Sequence, residues 1–280
     1  MNSSAGAGRS CDFWLSRLAR HDIHPEPCAT GGLEELPPLG EHDRLIVAGG
    51  DGTLHRLAPW CVQRRCVLGV LPAGTGNDFA RGLGIPLDPD AACRTLADGA
   101  VRCVDVARIE DRAFLNVAHV GLGAEVSREV ASSAKHWWGR FSYLGKLLRV
   151  QWHRGFRATV VCGGVRKRSR WLEIALANGG SFGGGHRIFE ASPLDGQLDV
   201  VAIRARSLPR LLVVWAKTRL HNATPADPAV VRLRGQCGAI RHCPALPVRA
   251  DGEPAGQTPF SFRVDPQALR VTVPRRRADS

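Results

Sequence analysis

Leu45-Ile46-Val47-Ala48-Gly49-Gly50-Asp51-Gly52-Thr53-Leu54, answered a short way on by Leu71-Pro72-Ala73-Gly74-Thr75-Gly76-Asn77-Asp78-Phe79-Ala80-Arg81, decides the fold. Each is a short apolar run, read as a buried parallel strand, that delivers the chain into a glycine turn with a helix behind it. Such turns leave backbone N–H groups uncovered. Gly49, Gly50 and Gly52 lack the β-carbons that would hold a polyphosphate away, while Thr53 can cap the next helix and offer a hydroxyl. Asp51 is the odd member. A carboxylate beside an anion needs a cation between them, so Asp51 implies Mg²⁺, which takes carboxylates, water and phosphate oxygens as ligands. In the second turn Gly74 opens the backbone, Thr75 and Asn77 can donate hydrogen bonds, and Asp78 repeats the acidic element. The plain structural reading is two glycine turns with Asp51 and Asp78 as helix caps. One turn would favour it; two, each with Gly, Thr and Asp after a strand, favour nucleotide phosphate.

The chain around these turns is long and apolar enough for a full core. Its 280 residues are 44% hydrophobic, which suits two domains rather than a disordered chain. The longest apolar runs, such as residues 211–216, fall far below the roughly 20 residues that span a bilayer. The first residues lack a charged start and an apolar stretch, so the expectation is a cytoplasmic protein. Nine scattered cysteines form no Cys-x-x-Cys pair and are expected as free thiols. The net charge of +12 concentrates in residues 130–172, which hold no acidic residue but Lys135, Arg140, Lys146, Arg149, Arg154, Arg157, Arg166, Lys167, Arg168 and Arg170. Trp137, Trp138, Trp152, Trp171 and Tyr143 lie among them. Indole rings with cationic neighbours suit the headgroup layer of an anionic membrane, so residues 135–171 are expected to make peripheral membrane contact. Single-stranded nucleic acid is the alternative, and a solvated basic face over core tryptophans is the plain reading.

Helices are expected at residues 12–20, 79–83, 90–98 and 141–150, and strands at 44–48, 101–108 and 269–273. Residues 23–29 read as an edge strand interrupted by Pro25 and Pro27. From Ala113 onward the texture becomes short alternating runs and turns, the mark of a β-rich second domain.

Residues 49–53 and 72–81 resemble the two signatures of the diacylglycerol kinase catalytic-domain family, lipid kinases that include sphingosine and ceramide kinases. A Gly-Gly-Asp-Gly-Thr turn alone is shared with NAD kinases and phosphofructokinases, but the further motifs of those enzymes are absent. Several more residues acquire expected roles from this resemblance. Asn2, Ser4 and Gly6 match the first nucleotide loop, with Ser3 where proline usually stands and only Met1 in place of the preceding strand. This implies either a start further upstream or a sheet lacking a strand. Thr30 falls near the adenine or ribose. Asp105 takes the place of an acidic residue connecting Asp78 to the metal network, against a plain reading as a strand-end residue facing solvent. Ser192, Asp195 and Gln197 match a turn that holds a structural Mg²⁺, against a plain Asp-Gly hairpin. Asp251 and Glu253 match the catalytic acid pair, one of them acting as the base for the acceptor hydroxyl.

The resemblance implies an α/β plus all-β fold. A doubly wound α/β nucleotide-binding domain spans residues 1–108, with a C-terminal return at about 268–280, and a β-sandwich-like lipid-substrate domain spans 109–267. The implied activity is a kinase moving the ATP γ-phosphoryl group to a lipid hydroxyl such as that of diacylglycerol, with ATP and Mg²⁺ as cofactors. Expected partners are a lipid substrate and an anionic membrane surface, with a homodimer admissible and nucleic acid not expected. The alternatives are a non-catalytic nucleotide- or lipid-binding relative with a truncated start, and a nucleic-acid-binding protein using the basic stretch.

Overall fold

The computed structural model of the protein describes residues 9–28, 36–121, 155–182, 184, 186–187, 191–206 and 227–275. The expected sites at Asn2, Ser4, Gly6 and Thr30, the expected helix at 141–150 and residues 135–154 of the basic stretch lie outside these residues.

The N-terminal half builds a sheet covered on both faces. Ser10 caps α1 (Cys11–Ala19) by accepting from the Phe13 N–H. Pro25 and Pro27 follow, and residues 23–28, the described part of the edge strand expected at 23–29, are not assigned to a strand. Next come β1 (Arg44–Gly49), α2 (Asp51–Arg64), β2 (Val67–Pro72), α3 (Asp78–Gly82), α4 (Pro89–Asp98) and β3 (Ala100–Ile109). β1 and β2 run parallel, with Ala48 opposite Leu71 and Gly49 opposite Pro72. Alternate side chains divide between two layers, as the two-residue period of a strand requires. Leu45, Val47, Leu68 and Val70 pack with Leu54, Leu57, Ala58 and Cys61 of α2. Ile46, Ala48 and Leu71 instead meet Trp14 and Leu18 of α1 and Ala92, Cys93 and Leu96 of α4. Helices therefore cover both faces, the doubly wound arrangement.

The second half is almost wholly strand: β4 (Arg112–Phe114), β5 (Val117–Gly121), β6 (Phe156–Cys162), β7 (Val165–Ala177), β8 (Ser181–Phe182), β9 (His186–Arg187), β10 (Leu198–Arg204), β11 (Val230–Gly235), β12 (Cys237–Arg241), β13 (Pro247–Ala250), β14 (Glu253–Gln257) and β15 (Phe260–Val273). Trp171, Ile174, Leu176, Leu198, Ile240, Phe260 and Phe262 form its core. Trp171 is fully buried there and donates its indole N–H to the Ala158 carbonyl at 3.0 Å, so it is a core tryptophan and not a membrane-facing one. Its neighbours Arg166, Lys167, Arg168 and Arg170 are exposed on β7.

β15 joins the two halves. Its first part pairs antiparallel with β12, and its last part pairs parallel with β2, while β3 accompanies it along its length. Asp265 opposes Val106 and Leu269 opposes Val104, so four steps on β15 match two on β3. Pro266 and Gln267, the latter with φ of 53°, form this bulge. Leu269, Val271 and Val273 then enter the α/β core beside Leu68 and Val104. No helix among the described residues is long and apolar enough to cross a membrane.

Candidate functional site

Because β1 and β2 are adjacent and parallel, both glycine bends leave the same end of the sheet. Open α/β sheets bind ligands at this end, beyond the carboxyl ends of their strands. The Ala73 N–H donates to the Gly49 carbonyl at 3.0 Å, tying the bends together. Their backbones then approach too closely for side chains: a β-carbon on Gly74 would lie 2.5 Å from the Gly50 Cα, and one on Gly50 would lie 2.9 Å from the Gly74 Cα. Gly49 is required for a different reason, since Thr53 packs where its β-carbon would be, at 2.8 Å. Gly50, with no side chain, is the N-cap of α2; Thr53 lies inside the first turn and does not cap the helix. Gly52 faces open space, with nothing within 4 Å of an added β-carbon.

The polar residues of the second bend are largely committed to its own architecture. Asn77 sits in the left-handed region at φ 52°, which asparagine tolerates better than most residues. Its side-chain oxygen accepts from the Gly74 N–H at 2.9 Å, and its amide nitrogen donates to the Gly74 carbonyl at 2.7 Å. Asn77 thus locks the loop, which differs from the expected donation to phosphate. The Asp51 carboxylate crosses from the first bend to accept from the Asp78 N–H at 3.1 Å and the Phe79 N–H at 3.0 Å. It satisfies two of the free amides at the start of α3, so part of the helix-cap reading holds. Asp78 accepts from the Gly184 N–H at 3.0 and 3.1 Å, linking the bend to the glycine loop of the β-rich half.

Gly76 lies between the two carboxylates: a β-carbon there would be 3.0 Å from one Asp51 oxygen and 3.4 Å from one Asp78 oxygen. Burial pushes the Asp51 carboxyl above the usual aspartate range; hydrogen bonds from Phe79 and Asp78 oppose this, and the charges of Asp78 and Asp251 add to it. Among the described residues no three His, Cys, Asp or Glu side chains converge as a metal cluster. Mg²⁺, however, is commonly held by one or two carboxylates with substrate phosphates and water completing its shell. A desolvated carboxylate with like charges nearby fits that donor set.

The Asp251-Gly252 turn between β13 and β14 closes the constellation. Both residues have positive φ, 49° and 87°, the conformation of a two-residue hairpin turn favouring Asp-Gly. The Asp251 side chain is 1% exposed. Its carboxylate accepts from the N–H groups of Leu115 at 2.6 Å, Asn116 at 2.9 Å and Val117 at 3.0 Å. A fourth contact comes from His55 Nδ1 at 3.2 Å. His55 follows Asp51 by one turn of α2, so this contact ties the hairpin directly to the helix issuing from the first bend. The Asp251 hydrogen bond holds the imidazole above its ordinary value of 6.5, burial opposes it, and the charges of Asp251 and Glu253 assist. Glu253, at the start of β14, is exposed. The expected acid pair therefore divides into a buried anchor and a solvent-facing carboxylate. His55 is the residue that sequence reading missed. Its only signal was the four-residue spacing from Asp51, and no motif marks that.

Residues 24–109 match the family model of the diacylglycerol kinase catalytic domain, and residues 116–273 match that of the YegS C-terminal NAD kinase beta sandwich-like domain. The chain belongs to the YegS-like lipid kinase family. It is 33% identical over 246 residues to a protein of Pseudomonas aeruginosa PAO1 named "Probable lipid kinase YegS-like", covering 86% of this chain and 80% of the relative. The same name belongs to a Pseudomonas fluorescens Pf-5 relative, 33% identical over 237 residues, covering 83% and 78%. A crystal structure described as a diacylglycerol kinase from Bacillus anthracis Sterne superposes with a TM-score of 0.73 at 20% identity, covering 98% of this chain and 95% of that one. At that identity the superposition speaks for the fold alone.

In this YegS-like chain, the remaining acidic positions expected at metal are occupied otherwise. Asp105, 1% exposed, accepts from the Gly196 N–H at 2.7 Å and the Gln267 N–H at 2.8 Å, while its own N–H donates to the Pro193 carbonyl at 2.8 Å. It thereby fastens the 193–197 turn and the β15 bulge to β3, and both of its oxygens are used there. Asp195 pairs with the Arg234 guanidinium and accepts from the Gln197 N–H at 3.0 Å. Arg234 also lies 3.8 Å from Asp199. A guanidinium thus shares the Asp195 carboxylate at the turn where the resemblance implied a structural Mg²⁺ on Ser192, Asp195 and Gln197. His119, a lone histidine in the sequence, lies 2.8 Å from Glu173 in the interior of the β-rich half.

Proposed function

We propose that the protein transfers the γ-phosphoryl group of ATP to a hydroxyl of a lipid such as diacylglycerol. The observation that carries this is the meeting of three chain segments. The two glycine bends lie backbone to backbone, and the Asp251 hairpin reaches the first of them through His55. The bends and the open face at Gly52 are suited to a triphosphate. Asp51 and Asp78 would hold Mg²⁺, which supplies charge neutralisation to the phosphate oxygens when bound. Asp251 has its oxygens committed to four donors and serves to position the hairpin. Glu253, exposed and without such ties among the described residues, is the base. It takes the proton of the acceptor hydroxyl while that oxygen forms its bond to the γ-phosphorus; the bond to the bridging oxygen breaks, and ADP leaves.

Glu253→Gln separates this assignment from a structural one. Turnover should fall by about 10²–10⁴-fold with ATP binding and melting temperature unchanged, because the side chain is solvent-facing. Asp251→Asn should instead lower stability by about 3 kcal/mol, since an amide cannot accept from both sides of the carboxylate site. Full activity in Glu253→Gln would remove the residue from the chemistry.

We further propose that residues 135–171 contact an anionic membrane surface. The exposed Arg166, Lys167, Arg168 and Arg170 support this reading. Co-sedimentation should favour phosphatidylglycerol vesicles over phosphatidylcholine vesicles and weaken with salt; equal recovery with both would contradict it.

A further inference from the structure

The outward face of the β6–β12–β15 sheet holds a cavity of about 600 Å³, separate from the glycine bends and lined by Arg166, Arg241, Arg263, His242 and Thr159 among others. This volume falls within the usual range for small-molecule sites. Strand register explains the lining. Thr159 stands opposite both Arg168 on β7 and Arg241 on β12, and Val161 stands opposite both Arg166 and Ala239. Small side chains thus form a floor while long cationic ones rise at its edges. Arg166 and Arg241 have no carboxylate partner among the described residues. Arg263 lies 3.2 Å from Asp265, and it donates to the Glu110 carbonyl at 3.3 Å. Among the described lining residues Glu110 is the one carboxylate, and it accepts from the Ser261 N–H at 2.6 Å.

Thr159, which lines this space, is 1% exposed, and its hydroxyl has no hydrogen-bond partner among the described residues. Buried hydroxyls are normally paired, and leaving one unmet costs about 1–3 kcal/mol. A hydroxyl able to donate, in a lining shared with Arg166 and Arg241, which have no carboxylate partner among the described residues, is a donor set for phosphate oxygens and repels metal cations.

We propose that this cavity binds a phosphoryl group, carried either by an anionic lipid headgroup or by a free phosphate. The site is independent of the kinase reading, since none of its residues belongs to the glycine bends or the Asp251 hairpin. The test uses the full chain and two probes at constant ionic strength: inorganic phosphate by titration calorimetry, and phosphatidylglycerol vesicles by co-sedimentation. Arg241→Ala should weaken binding at least about ten-fold, as loss of a charge-assisted contact does. Thr159→Val removes only the unmet hydroxyl, so the fold should be equally or more stable while binding weakens several-fold. Arg102→Ala, an exposed arginine far along β3, serves as the charge control and should change neither. Loss with both probes identifies a site open to free phosphate, and loss with vesicles alone identifies the headgroup as the source. The proposal is overturned if Thr159→Val and Arg241→Ala bind both probes like the parent protein, or if Arg102→Ala loses as much as Arg241→Ala.

Discussion

His55 carries more of the site than its place in the chain suggests. It stands one helical turn past Asp51 and reaches the buried Asp251 carboxylate across the junction of the two halves. The Asp251 hydrogen bond raises its proton affinity above the unfolded value of 6.5. A group with a raised folded value stabilises the fold fully below its unfolded value and loses that contribution as pH rises through the folded one. Hydrogen bonds to charged groups contribute about 1.5–3 kcal/mol, so the protein should melt about 3–6 °C above His55→Gln at pH 6, with the gap shrinking toward pH 9. Melting curves of both proteins across that range are the check, and a gap independent of pH would show that His55 does not protonate against Asp251. At this scale the sequence supplied residue types but not their commitments. Asp51, Asp78 and Asp251 were legible as acids in glycine turns. That Asp51 caps α3, and that Asp251 is spent on three amides of residues 115–117, depends on chain segments far apart in sequence.

The glycine bends were legible because both of their requirements are local: a run of apolar residues, then residues without β-carbons. Their mutual contact follows from the parallel pairing of β1 with β2, and it makes the glycines unequal. Gly74→Ala puts a β-carbon 2.5 Å from the Gly50 backbone and 3.0 Å from the Asn77 side chain, so both bends must shift. A displacement of about 1 Å at a reacting site costs about 10²-fold in rate, and that loss is expected here. Gly52→Ala meets nothing in the protein and lies in the first turn of α2, where alanine is the better helix former. It should leave the melting temperature equal or higher while raising the KM for ATP, because the new methyl group occupies the face left open for phosphate. Steady-state kinetics of the two variants, with calorimetric melting, separate these roles; unchanged ATP kinetics in Gly52→Ala would show that phosphate does not approach that backbone. β15 was legible only in its last five residues. Pro266 and the left-handed Gln267 break the alternation, and the bulge that keeps the strand continuous is held by Asp105, which lies on another strand.

At the scale of the whole molecule, the two cores and the strand shared between them bring ends of the chain's halves into one place. Residues 44–80 provide the bends and residues 248–253 the hairpin, and β15 returns from the β-rich core to pair with β2, one strand from the first bend. The change from helix-period to strand-period texture near Ala113 was visible in the sequence, whereas the docking of the hairpin on α2 was not, because it rests on a contact from His55, which no motif marks. The excess of basic residues was equally visible, but its division was hidden: Trp171 turns into the core, while Arg166 and Arg168 on the same strand face outward. The most direct test is transfer of label from γ-labelled ATP, with Mg²⁺, across a panel of diacylglycerol, sphingoid and other hydroxylated lipids in mixed micelles. Label should appear on at least one lipid hydroxyl, depend on Mg²⁺ and be lost in Glu253→Gln. A folded protein that binds ATP yet labels no lipid in the panel would contradict the account and favour a non-catalytic relative.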